Sequence, residues 1–155
     1  MEVLARLRHS CVKGYHVFQT GRPRETFLCE REGHNPYSEA AIVVKIGDSV
    51  VGHVPDRLAV VLAPLLDCGR VANIMGTITG PPRSSPDGVW TVGGGIELPC
   101  DYVLRGAKQD RSPVRTALRQ AQTEKKRSRK RKGTEYTLVV VIVLQYCTTV
   151  FLTAS

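Results

Sequence analysis

The chain has 155 residues, which is enough for one domain with a self-supporting hydrophobic core. Its five cysteines are widely spaced, and the sequence has no CxxC pair and no Cys/His set at zinc spacing. A disulfide scaffold and a zinc module are therefore not expected. The cysteines are interpreted as small buried hydrophobic residues in a reducing compartment, and the sequence predicts neither a metal nor a cofactor.

The formal net charge is +8, and it is unevenly distributed. Residues 1–105 contain 11 Lys or Arg and 11 Asp or Glu, whereas residues 106–155 contain 11 basic residues and three acidic ones. The whole positive excess therefore lies after residue 105. A basic chain favours nucleic-acid binding, but on charge alone the first 105 residues do not.

Short β-prone runs dominate the first 105 residues. Alternating apolar residues predict a first strand from Val3 toward Gly14. Two β-branched runs flank Gly47-Asp48, a two-residue turn that is typical of a hairpin. The hairpin strands are predicted at 41–46 and 49–54. Further strands are predicted at 26–29, 71–79 and 96–104, and a loop at 81–88.

One helix is predicted between Pro55 and Gly69, because apolar residues recur at helical spacing from Leu58 to Leu66. Pro64 has no backbone N–H and is expected to kink or split this helix. Short strands that outnumber a single main helix predict a mainly β fold. The architecture expected is a small, partly open OB-like barrel of five to six strands with one main helix.

The composition changes after residue 105, and three units are predicted. They are a barrel domain over 1–105, a basic and disordered linker or tail over 106–136, and an apolar segment over 137–155. The basic cluster is typical of a nuclear-localisation signal or a phosphate-binding patch, or of a solvated linker. Its members are Lys125, Lys126, Arg127, Arg129, Lys130, Arg131 and Lys132.

The apolar residues 137–154 allow a second interpretation of the C-terminus. They are 18 in number, barely enough to cross a bilayer core, and the preceding basic residues would then face the cytoplasm. Gln145, four threonines and many β-branched residues instead favour an aggregation-prone strand or a non-native extension. A nuclear location is favoured, and a tail anchor in an intracellular membrane is the alternative.

The segment from Glu30 to Glu39 carries the groups best suited to binding. It places ion-pairing side chains, an amide, an aromatic ring and a hydroxyl between two predicted strands. Loops on a rigid barrel are where binding residues commonly lie. Composition alone equally allows a solvated connection in which Asn35-Pro36 only makes a turn.

Four segments, in this order, resemble the HIRAN domain family, over about Arg8 to Leu104. They are Arg31-Glu32-x-x-Asn35-Pro36-Tyr37, Ala41-Ile42-Val43-Val44, Val51-Gly52-His53-Val54-Pro55 and Gly94-Gly95-Ile96-Glu97-Leu98-Pro99-Cys100. The resemblance implies an OB-like barrel. HIRAN domains occur beside SWI/SNF-type DNA translocases and RING domains in replication-fork repair proteins, and also as stand-alone chains. In the best-understood members the domain grips single-stranded DNA by its free 3′-hydroxyl end.

The resemblance also implies a set of nucleic-acid-binding positions. Asn35 falls on an amide that contacts the DNA backbone, Tyr37 on an aromatic that contacts a base, and His53 on the family's Gly-His step. Trp90 is expected to supply a stacking aromatic near the barrel mouth. The full set is His16, Phe18, His34, Asn35, Tyr37, Ser38, His53, Arg57 and Trp90.

Several of these positions depart from the DNA-binding members. His16 and Val17 replace an arginine and a tyrosine, so a permanent charge becomes a conditional one and an aromatic is lost. Ser38 replaces an aspartate that accepts from the terminal hydroxyl. Asp56 falls on a basic position, with Arg57 beside it as the substitute. His34 replaces an asparagine. These departures remove groups that the DNA-binding members use to hold a 3′ end.

Two functions follow from these observations. The first is a non-catalytic nucleic-acid-binding module that contacts single-stranded DNA or DNA ends, with the basic tail adding sequence-independent attraction. The alternative is a protein-interaction adaptor that keeps the HIRAN fold and has lost 3′-end recognition. The sequence contains no Walker A motif, DEAH-like box or RING cysteines, so no enzyme is predicted.

Overall fold

A computed structural model describes residues 1–14, 21–85 and 95–128 of the chain. Within these ranges seven strands and two α-helices follow one another, with a short 3₁₀ helix at Lys108–Asp110. The elements are β1 (Glu2–Lys13), β2 (Thr26–Arg31), β3 (Ile42–Ile46), β4 (Ser49–His53), α1 (Asp56–Asp67), β5 (Asn73–Ile78), β6 (Arg83–Ser84), β7 (Ile96–Gly106) and α2 (Arg111–Ser128).

Six of the strands close into an antiparallel barrel in the order β1-β4-β3-β2-β5-β7, and β7 returns to β1. β1 and β7 pair along almost their whole length, whereas β1 and β4 are paired only at Lys13 and His53. β6 lies outside the ring and pairs with the start of β7. The predicted mainly β, OB-like barrel of five to six strands is confirmed.

The barrel is filled by side chains from alternate positions of its strands. In β7, Leu98, Cys100, Tyr102 and Leu104 are buried and the residues between them are less so, as expected when one face of a strand meets the core. Gly76 is paired with Phe27 on one side and Tyr102 on the other. The two aromatic rings meet edge to face with 5.5 Å between centroids. A Cβ on Gly76 would overlap with the Phe27 ring, so this packing requires glycine.

The predicted hairpin and the predicted main helix are both present, as β3–β4 and α1. The predicted split at Pro64 is wrong, because α1 is one continuous helix with Pro64 inside it. The helix ends three residues later, at Asp67, so the one hydrogen bond that Pro64 cannot donate is lost near its C-terminal end. The segment predicted as a loop at 81–88 contains the two-residue strand β6.

The helix α2 lies in a segment that the sequence predicted to be a disordered linker or tail, and it covers part of β1. Apart from the pair with His53, no described strand pairs with the edge of β1 that faces away from β7. Leu4 is the extra residue of a bulge in β1, and Arg115 Nε donates to its carbonyl at 2.9 Å. Arg111 donates to the Val3 carbonyl at 3.2 Å and to Glu2 at 2.8 Å.

The apolar face of α2 belongs to the barrel core. Val114, Ala117 and Leu118 are buried in the same cluster as the strand residues. Asp110, just before α2, forms an ion pair with Arg70 at 3.0 Å. The core therefore extends beyond residue 105, into a segment that the sequence assigned to a basic linker.

The cysteines of the described residues are free thiols. Cys29 and Cys100 are buried, and Cys11 and Cys68 are half-buried. Burial raises the pKa of Cys11 to about 11 and that of Cys100 to about 12. Within the described ranges no group of His, Cys, Asp or Glu is arranged to hold a metal ion.

No helix in the described ranges has the length and apolar character needed to cross a membrane. The apolar residues 137–154, on which the membrane alternative depends, lie outside the described residues.

The packing of α2 predicts that its apolar face stabilises the barrel. Leu118→Ala is expected to lower the free energy of unfolding by about 2–5 kcal/mol, because a buried leucine is replaced by a cavity. Gln122→Ala, on the exposed side of the same helix, should change it little. Urea unfolding followed by circular dichroism measures both. Equal effects of the two substitutions would show that α2 is not part of the core.

Candidate functional site

The loop between β2 and β3, residues 32–41, is held at its C-terminal end by the side chain of Arg31. The Arg31 guanidinium donates to the carbonyls of Ala41 at 2.7 Å and Glu39 at 2.9 Å. It also donates to both carboxylate oxygens of Asp67, at 2.9 and 3.2 Å. Asp67 is the last residue of α1. One planar side chain therefore ties the far end of the loop to the helix, as the fork geometry of arginine allows.

Asn35 determines the shape of the loop tip. Its Oδ1 accepts from the backbone N–H of Tyr37 at 2.8 Å and of Ser38 at 3.1 Å, a side-chain-to-backbone pattern typical of asparagine turns. Tyr37 follows directly and is 87% exposed. The turn therefore presents a solvent-facing aromatic ring on a backbone held by hydrogen bonds.

Glu32 connects this turn to the barrel wall. Its Oε2 accepts from Asn35 Nδ2 at 2.9 Å and lies 2.8 Å from His53 Nε2. The hydrogen bond from Asn35 holds the pKa of Glu32 below its ordinary value; partial burial acts in the opposite direction, and His53 adds to the lowering. An ionised carboxylate can only accept, so the His53 Nε2 is the donor in this contact.

His53 lies where the barrel closes. It is the β4 residue paired with Lys13 of β1, and Gly52 before it has φ +157. A Cβ on Gly52 would overlap with the Lys13 carbonyl oxygen and would crowd Val12. The Gly-His step therefore combines a close approach of two strands with the placement of a histidine beside Glu32.

Hydrogen bonds of Glu32 and Asn35 link four of the predicted site residues. Glu32 contacts Asn35 and His53, and Asn35 accepts from the backbone of Tyr37 and Ser38. His34 is exposed in the same loop, and Arg57 is exposed in the first turn of α1. Three further predicted residues lie outside the described residues: His16, Phe18 and Trp90. The roles of all these residues in binding stay predictions.

The basic cluster is described only in part. Lys125, Lys126 and Arg127 lie in α2, where the structure describes their backbone. Arg129–Lys132 lie outside the described residues.

Arg31 and Glu32 hold the β2–β3 loop in place, and neither was predicted to be a site residue. They were visible in the sequence only as part of the segment shared with the family. Their partners Asp67 and His53 are 36 and 21 residues away, so local spacing could not indicate these contacts.

The closed six-stranded barrel with a structured β2–β3 loop places the chain among small OB-like barrel domains. The family model for the HIRAN domain matches residues 8–91. The chain belongs to the HIRAN domain family. No curated protein sequence matches it.

Solved HIRAN domains share the fold. The crystal structure of the HIRAN domain of human HLTF has a TM-score of 0.59 and 22% identity, covering 77% of this chain and 90% of that one. An NMR structure of the HLTF HIRAN domain has a TM-score of 0.56 and 24% identity over the same shares. An NMR structure of that domain in its DNA-bound conformation has a TM-score of 0.54 and 24% identity, again over the same shares.

The closure at Gly52 predicts a strict requirement for glycine. Gly52→Ala is expected to destabilise the protein by about 2 kcal/mol or more, because the new methyl group meets a backbone oxygen at an unfavourable φ. Gly33→Ala is a matched control in the adjacent loop, since a Cβ there meets nothing within 4 Å. Denaturant unfolding of both variants provides the comparison, and equal stabilities would contradict the described contact between β1 and β4.

The lowered pKa of Glu32 predicts a pH-dependent contribution to stability. Because the folded pKa lies below the ordinary 4.5, the contribution is fully present above 4.5 and is lost as the pH falls through the folded pKa. The difference in unfolding free energy between the wild type and Glu32→Gln should therefore be largest near neutral pH and shrink in acid. Glu39→Gln in the same loop controls for the change in net charge. A difference that stays constant below pH 4.5 would refute this contribution.

Proposed function

We propose that the chain is a non-catalytic nucleic-acid-binding module that contacts single-stranded DNA, including DNA ends, through the β2–β3 loop. A HIRAN domain of the same fold has been solved in a DNA-bound conformation. The observation that carries the proposal is the 87% exposed ring of Tyr37 on a turn fixed by Asn35. An exposed aromatic ring is a stacking surface for any base.

The neighbouring groups suit a nucleic-acid backbone as well. Asn35 donates one Nδ2 hydrogen to Glu32, and its second hydrogen is a donor suited to a phosphate or sugar oxygen. His53 lies on the other side of Glu32 and carries a proton on Nε2. The Glu32 carboxylate thus orients the Asn35 amide and the His53 imidazole.

The basic residues after residue 105 supply the charge that the barrel lacks. Six of the 11 lie in α2, which packs against β1. Lysine and arginine attract phosphates without regard to sequence. On this proposal α2 and the residues after it provide salt-sensitive attraction, and the loop provides base contacts. The localisation-like pattern of the basic cluster is the basis for proposing a nuclear location. Membership of the HIRAN family is the basis for proposing a role in DNA repair.

A protein-interaction adaptor is the second candidate, and particular residues favour it. Asp56 is exposed at the start of α1, where the DNA-binding members have a basic residue. Ser38 stands where they have a hydroxyl-accepting aspartate, and its N–H is bonded to Asn35. Both changes remove interactions that would favour the end of a DNA strand.

Replacement of Tyr37 and of the basic cluster should have different signatures. Tyr37→Ala is expected to weaken binding of a single-stranded oligonucleotide at least about fivefold at every salt concentration, because a base loses its stacking partner. Replacing Lys125, Lys126, Arg127, Arg129, Lys130, Arg131 and Lys132 by glutamine should instead flatten the salt dependence, because fewer counterions are released. Fluorescence anisotropy of the full chain at several salt concentrations measures both.

Tyr37→Phe keeps the ring and should bind like the wild type. Oligonucleotides with 3′-hydroxyl and 3′-phosphate ends test end recognition in the same titrations, and equal affinities would show that it is lost. If Tyr37→Ala binds as tightly as the wild type throughout, the loop is not a nucleic-acid site and the adaptor takes its place.

A further inference from the structure

A buried carboxylate organises a second polar cluster at the other side of the closing strand pair. Glu97 of β7 is only 2% exposed, and it is the charged side chain that is buried among the described residues. Lys13 Nζ donates to its Oε2 at 2.6 Å, and Arg83 Nε donates to its Oε1 at 3.0 Å. Lys13 also donates to Ser85 Oγ at 2.7 Å. Both carboxylate oxygens are therefore engaged by cations.

The cluster carries a net positive charge. Burial alone would raise the pKa of Glu97, but hydrogen bonds from Lys13, Cys11 and Arg83 outweigh it and hold the pKa below its ordinary value. The carboxylate is thus ionised near neutral pH. Two cations on one anion leave one positive charge in a barrel whose first 105 residues are neutral in sum.

Both cations retain donors for a further anion. Arg83 uses Nε for Glu97, and its side chain is 53% exposed, so that the two terminal amino groups face solvent or an incoming oxygen. Lys13 uses two of its three donors and is 25% exposed. A guanidinium anchored through Nε presents its outer edge in a fixed direction, which is the geometry for holding a phosphate with two hydrogen bonds.

The cluster is continuous with the candidate site. Arg83 is paired with Glu97, Glu97 with Lys13, and Lys13 with His53 in the strand register. His53 in turn contacts Glu32 of the β2–β3 loop. Adjacent strands are about 4.8 Å apart, so the row from His53 to Arg83 extends about 14 Å across the barrel wall.

We propose that Arg83 and Lys13 form a phosphodiester-binding site that extends the candidate site along this row. A strand whose base stacks on Tyr37 passes His53 and places backbone phosphates at Lys13 and Arg83. This inference rests on the proposed nucleic-acid function and gives the barrel its own phosphate contacts, separate from those of the basic cluster after residue 124.

The test compares Arg83→Gln with Arg6→Gln in the full chain, by anisotropy with a single-stranded oligonucleotide at several salt concentrations. Arg6 is an exposed residue of β1 and pairs with Val103, six residues along β7 from the Glu97 partner of Arg83. The two substitutions therefore remove the same charge from distant places on the barrel wall. Arg83→Gln is expected to weaken binding about threefold and to reduce the salt slope by about 0.7, the value for one phosphate of a single strand. Arg6→Gln should change neither, and Arg83→Lys should recover part of the affinity.

The outcomes separate this inference from the proposed function. If Tyr37→Ala weakens binding but Arg83→Gln behaves like Arg6→Gln, the phosphate site is overturned and the loop site stands. If neither Tyr37→Ala nor Arg83→Gln has an effect, the nucleic-acid function of the barrel fails as a whole. Thermal unfolding of Arg83→Gln is measured in parallel. A normal midpoint with lost affinity supports direct contact, and recovery of affinity at low temperature in an unstable variant would overturn it.

Discussion

The structure depends on how β1 is shared between its neighbours. β1 pairs with β7 from end to end but reaches β4 at one residue pair, Lys13 and His53. A barrel removes exposed strand edges only where it is closed. Here α2 covers part of the remaining β1 edge, and its arginines donate to the carbonyls of Val3 and Leu4. The helix thus satisfies backbone carbonyls of β1 that a neighbouring strand would otherwise pair with.

Both polar clusters lie at this closing pair. His53 contacts Glu32 of the β2–β3 loop. Lys13 donates to Glu97, which also accepts from Arg83. Gly52 allows the two strands to approach at this point. The position of each cluster is therefore a consequence of the same backbone contact, and a change there would displace both at once.

The elements that were predicted from the sequence are those whose signals are local. The hairpin follows from Gly47-Asp48 between β-branched runs, and α1 follows from leucines at helical spacing. The packing of α2 was missed, although Val114, Ala117, Leu118 and Ala121 have the spacing of an apolar helix face. Its basic composition instead favoured a solvated linker, and its partners in β1 are more than 100 residues away in the sequence.

The candidate site was predicted from the sequence only in its exposed members. Tyr37 and His53 were named from their place in shared segments, whereas the contacts that hold them, through Glu32 and Arg31, depend on distant chain segments. The summed charge of residues 1–105 likewise did not indicate the positive cluster at Glu97. A neutral total for residues 1–105 does not exclude a local excess, because two cations share the buried carboxylate of Glu97.

The hydrogen bonds from Arg31 to Glu39, Ala41 and Asp67 have a consequence for how fast a partner binds to the β2–β3 loop. A loop that must become ordered on binding loses conformational entropy in that step, and its encounters with a partner are often unproductive. The β2–β3 loop already has its hydrogen bonds to Arg31 and Asn35 in the unliganded chain. Encounter with a partner therefore needs no folding step at Tyr37, and differences in affinity between partners should arise mainly in how fast they dissociate.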